Sequence, residues 1–195
     1  MTMKIESLVG EQPQAFAYGD IFAHEDAGGH ARLCVGVDGD SADCVATLAR
    51  TLLGPFQVLY VLHTTRTGAA LARYESPVLS QDELRAFLRR FGSFLNEDSR
   101  HDLWVRSHDD DATLVLDRHG VIYAYGPLGE FEAALRQLGI RESAVVEIPC
   151  PHIHHYHATW DDAEEQMLRS LDWTLTPLPL SDEQFVQATS QHRMR

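Results

Sequence analysis

Four of the seven residues 151–157, PHIHHYH, are histidines. If this segment is extended, side chains alternate, so His152 and His154 share one face and His155 and His157 the other. An H-x-H pair offers two imidazoles to one cation, a donor type suited to zinc or another divalent transition metal. At most one same-face pair can serve a given ion, and further ligands must come from elsewhere. Asp161, Asp162, Glu164 and Glu165 follow closely, while His24 and His30 require folding to approach. The chain holds no HExxH, no paired CxxC and no other spacing that fixes a metal geometry.

A second chemistry is nucleophilic. Cys150 stands two residues before His152, and a Cys–His pair can generate a thiolate. No third orienting group accompanies it, so Cys150 is the weaker candidate catalytic residue. Asp38, Asp40 and Asp43 in VDGDSAD resemble the paired acids that hold magnesium. They read more simply as a turn followed by a helix cap. The sequence has no GxSxG elbow, Walker loop or GxGxxG fingerprint. Fifteen of its sixteen cations are arginines and the single lysine is Lys4, which argues against phosphate-loop and Schiff-base chemistry.

The elements that must carry these residues follow from pattern. At 195 residues with 44% hydrophobic content, the chain can bury a core unaided. Residues 1–30 read as an irregular N-terminal segment, 31–175 as a single α+β domain, and 176–195 as a C-terminal extension permitting one short helix. Within the domain, strands are expected at ARLCVGV, FQVLYVLHT, ALARYESPVLS, HDLWVRS, ATLVL, VIYAY and SAVVEIP. Helices are expected from Ser41, from Ser80 with Glu83 as a capping box, through LGEFEAALRQLG, and after Thr159. The result is a mixed, largely antiparallel sheet of six or seven strands with three to four helices. The order hairpin, helix, strand occurs twice, beginning at FQVLYVLHT and at ATLVL.

Composition narrows the partners. A formal charge of −13 disfavours nucleic-acid phosphates and anionic membranes. Protonation of all eleven histidines would move that charge to −2, since −13 + 11 = −2. Three cysteines without a CxxC pair, and no targeting stretch, point to the cytoplasm. One functional expectation is a non-catalytic acidic binding or regulatory protein that takes a basic protein partner or a small ligand. The other is a metal-binding protein or metal-dependent hydrolase using His152, His154, His155 and His157.

Overall fold

The computed structural model describes residues 3–179. Among these, a nine-stranded sheet and a three-stranded sheet combine with four α-helices, an α+β fold with more strands than the six or seven expected. The small sheet has β1 (Ile5–Val9) at its centre, between β2 (Gln12–Ala15) and β11 (His152–His154). The large sheet contains β3 (Ile21–Asp26), β4 (Ala31–Gly36), β5 (Phe56–Leu62), β6 (Ala72–Glu75) and β7 (His101–Ser107). It is completed by β8 (Ala112–Leu116), β9 (Val121–Tyr125), β10 (Arg141–Glu142) and β12 (Thr174–Pro177), in the order β10-β3-β4-β9-β8-β7-β5-β6-β12.

Strand alternation gives the large sheet two different faces. Register aligns Leu33, Ala124, Leu114, Val105 and Val58 across five strands, and all five are buried in the main core. Helices α1 (Ser41–Ala49), α2 (Gln81–Glu97) and α3 (Leu128–Gln137) contribute Leu48, Leu88 and Phe131 to that core. The next row, on the opposite face, reads Cys34, Tyr123, Val115, Trp104 and Leu59. This face is only partly covered, and Trp104 is 37% exposed.

Local chemistry explains the helix starts. Ser80 Oγ accepts from the Glu83 amide and Glu83 Oε2 accepts from the Ser80 amide, closing the capping box of α2. Asp40 caps α1 by accepting from the Asp43 amide at 2.8 Å. Gly120 has φ +88 in the β8–β9 turn, a left-handed conformation that glycine adopts without a Cβ penalty. The two hairpin–helix–strand units share order but not pairing. In the first, β7 returns beside β5, whereas in the second β10 runs parallel to β3 at the far edge.

Several expectations are corrected. Residues 1–30 are not irregular, because β1, β2 and β3 all fall there. Alternation is weak in these strands: β2 is exposed throughout, so no apolar period marks it. SAVVEIP forms no strand; pairing stops at Glu142, and Pro149 lacks an amide for a ladder. TPLPL does not simply break the chain, since Thr174–Pro177 adds the edge strand β12 against β6. Thr159 lies inside a short 3₁₀ turn (Ala158–Trp160), and Trp160 precedes α4 (Asp161–Leu168). The short helix expected near residues 181–190 lies outside the described residues. No described helix is long and apolar enough to cross a membrane.

A buried ion cluster joins these parts. The side chains of Arg100, Asp98 and Glu164 are fully buried. Arg100 Nε and Nη2 donate to the two Asp98 oxygens at 2.7 and 2.9 Å, and Nη1 donates to Glu164 at 2.8 Å. Nη2 also donates to the His157 carbonyl at 3.0 Å, while the His157 amide donates to Asp98 at 2.8 Å. Burial alone would lower the Arg100 pKa, but the bonds and charges of Asp98 and Glu164 raise it above its ordinary value. Asp161 and Glu164, read from sequence as acids favouring a helix start, are therefore partners of Arg100. Replacing Arg100 with Met leaves two carboxylates buried without their cation, so unfolding should become easier by about 3–5 kcal/mol. Urea denaturation checks this, and a loss below about 1 kcal/mol, the range of exposed pairs, would contradict it.

Candidate metal centre

The histidine segment is held extended by its neighbours. β11 pairs antiparallel with β1, placing His154 opposite Ile5 and His152 opposite Ser7. Beyond the strand, the His155 amide donates to the Lys4 carbonyl and the Ser99 amide donates to the His155 carbonyl, both at 3.0 Å. Pro151, whose carbonyl accepts from Leu8, begins the segment, and the Asp98–Arg100 cluster fixes its end at His157.

The four imidazoles divide between two sides. His155 and His157 stack with ring centres 5.6 Å apart; His155 Nε2 meets Glu6 at 2.7 Å and His157 Nε2 donates to the Met3 carbonyl at 3.0 Å. Those contacts occupy them. His152 and His154 turn the other way and meet His119, from the β8–β9 turn. Each of these three offers one ligand atom, and the three atoms lie within 4.8 Å of one another. All three residues are half-buried.

Two of the rings are oriented by acceptors behind them. His119 Nδ1 lies 2.7 Å from Asp117 Oδ2, and Asp117 Oδ1 accepts from the His119 and Val121 amides. His152 Nδ1 lies 2.6 Å from the Pro149 carbonyl. A carbonyl only accepts, so that nitrogen carries hydrogen and a neutral His152 presents the Nε2 lone pair. The Asp117 carboxylate likewise places hydrogen on Nδ1 of His119 and frees its Nε2. A carboxylate or carbonyl behind a histidine is the usual support of a metal ligand.

His154 completes the arrangement. Its Nε2 is 2.9 Å from His152 Nε2, and two lone pairs cannot face each other at that distance without a proton or cation between them. Its Nδ1 is buried without a hydrogen-bond partner. Burial first, then the charges of His119, His152, Arg118 and Lys4, hold its pKa down at about 3. It is thus neutral at neutral pH, the form that ligates metal. Tetrahedral ligation at about 2.0–2.1 Å sets nitrogens about 3.3 Å apart. The cluster, at separations up to 4.8 Å, needs side-chain shifts of about 1.5 Å to reach that geometry.

The other sequence candidates lie elsewhere. His24 stands 3.2 Å from Glu132, and His30 is exposed in the β3–β4 turn. Asp162 is exposed, and Glu165 pairs with Arg169 at 2.8 Å. Cys150 is exposed and outside the cluster. Sequence reasoning missed His119 and Asp117, read only as turn residues; an Asp-x-His triplet at a hairpin tip was the available signal. It also placed no role on Lys4. That ammonium is buried, donates to the Leu95 carbonyl at 2.8 Å, and is lowered to about 8 by burial, against the pull of Asp117, Asp102 and Asp98. No protein-family model, curated protein or solved structure matches the chain.

Two histidines therefore fall outside any simple titration. His101, fully buried against Phe94 and Tyr60, is also held well below its ordinary pKa, chiefly by burial and then by Lys4 and Arg100. In the unfolded chain both titrate near ~6.5, so above that pH they are neutral in both states. Below it the unfolded chain binds protons that the folded chain does not, and stability falls with acid by about 1.4 kcal/mol per pH unit per group. In the metal-free chain, NMR titration should find His154 still neutral at about pH 5 and the His101 midpoint displaced to the acid side of an ordinary imidazole. A midpoint near ~6.5 for both would overturn this electrostatic account.

Proposed function

We propose that the protein binds zinc, or another divalent transition metal, through His119, His152 and His154, and uses it for hydrolysis in the cytoplasm. The observation that carries this reading is the convergence of three imidazoles from two separate segments, two of them backed by Asp117 and the Pro149 carbonyl. Three protein ligands with a position left for solvent or substrate are the pattern of catalytic zinc, whereas structural zinc is closed by four. A cation so held supplies Lewis-acid chemistry, polarising a carbonyl or phosphoryl oxygen. An all-nitrogen ligand set suits zinc, copper, nickel or cobalt over magnesium or calcium. The cytoplasmic assignment is supported by three free cysteines, of which Cys150 is exposed. The acidic-surface reading, with a basic protein partner, is supported by the −13 charge alone and is the weaker of the two.

Metal analysis of protein purified without a histidine tag tests the proposal. One equivalent of transition metal per chain is expected. It should be lost in His119→Ala and retained in the double substitution His155→Ala with His157→Ala. Asp117→Asn should keep the ligands but weaken affinity about 10–100-fold. Stoichiometry well below one that is indifferent to His119→Ala would refute the site.

A further inference from the structure

His119 also lines a cavity of about 250 Å³ on the partly exposed face of the large sheet. Its walls include Trp104, Tyr123 and Tyr125, with Arg32, Arg118, Asp102 and Asp117 as its charged groups. The polar groups are not equally available. Asp117 is occupied by His119 and two amides. Asp102 accepts from the Arg118 amide at 2.8 Å and meets His63 at 2.9 Å. Burial opposes the Asp102 charge, yet His63 and Arg118 hold its pKa below the ordinary carboxylate range. Arg32 is engaged as well: it lies 4.1 Å over the Tyr123 ring and bonds Glu25 and Tyr125.

Arg118 differs. Its Nη1 is buried and has no hydrogen-bond partner among the described residues. A buried guanidinium donor left unfilled is unfavourable, and its planar fork matches the oxygens of a carboxylate or phosphoryl group. The same residue directly precedes His119 in the chain and lines the same cavity, so it stands beside the histidine cluster. The aromatic walls suit a flat apolar body attached to the anion.

We propose that this cavity is the substrate subsite of the histidine centre, taking a small aromatic oxyanion whose carboxylate or phosphoryl oxygens dock on Arg118. The proposal rests on the metal-centre reading and names the substrate class for it. Arg118 is the binding residue, Trp104 and Tyr123 flank the ring, and His119 joins subsite to metal.

Isothermal titration of the full chain, metal-free and zinc-loaded, tests it, with phenyl phosphate and benzoate as probes and benzyl alcohol as the uncharged control. Both anions should bind and benzyl alcohol should not. Arg118→Met should weaken the anions about tenfold or more. Arg106→Met, on the same sheet face but outside the cavity, should leave them unchanged. Trp104→Ala provides a second probe should Arg118→Met fail to fold, and should weaken phenyl phosphate more than inorganic phosphate. Anion affinity indifferent to Arg118→Met, or equal binding of benzyl alcohol, overturns the subsite. Zinc uptake without Arg118-dependent anion binding removes the subsite alone. Arg118-dependent anion binding without zinc uptake removes the metal reading and leaves an anion cavity.

Discussion

A fully buried arginine sets the terms for this structure. Arg100 cannot discard its proton, so the fold must surround it with acceptors. It does so with Asp98 at the end of α2, Glu164 on α4 and the His157 carbonyl at the end of the histidine segment. Thr65 and Thr67 donate in turn to Glu164, which ties in the loop after β5. Three regions of the chain, around residues 65–67, 98–100 and 157–164, thus meet in one ion cluster. An apolar cluster of the same volume could be equally stable, but it would not dictate which atoms meet.

That constraint carries into the candidate site. Asp98 holds the His157 amide while Arg100 holds its carbonyl, so the end of the segment cannot rotate freely. Its start is a strand paired with β1, and between these anchors alternation sends His152 and His154 to one side. The β8–β9 hairpin then delivers His119, with Asp117 behind it, to the same side. Low proton affinity at His154 follows first from its burial and then from the nearby His119, His152, Arg118 and Lys4. Arg118 and Lys4 oppose positive charge there, so the metal proposed for this cluster would have to be held by directional nitrogen bonds.

The sequence made local features legible. Ser80 and Glu83 specify the start of α2, and Gly120 specifies the β8–β9 turn, because each depends on contacts within a few residues. The two-and-two division of the histidines also follows from local alternation. What brings His119 to them does not, since it requires β1 to stand between β2 and β11. The strands of residues 1–30 were unreadable because β2 is exposed throughout and neither β1 nor β3 alternates buried with exposed side chains. Asp161 and Glu164 had a sufficient local explanation as acids at a helix start, and that explanation hid their bond to Arg100. Long-range polar pairing leaves no periodic trace in a sequence, and here it is what positions the site.

The central claim is that His119, His152 and His154 form one three-nitrogen centre. X-ray absorption at the zinc edge of the loaded chain tests it most directly. The account predicts three imidazole nitrogens at about 2.0–2.1 Å with a light-atom fourth ligand, and a reduced imidazole count in His119→Ala. A sulfur shell at about 2.3 Å, or an all-oxygen shell indifferent to that substitution, would contradict it.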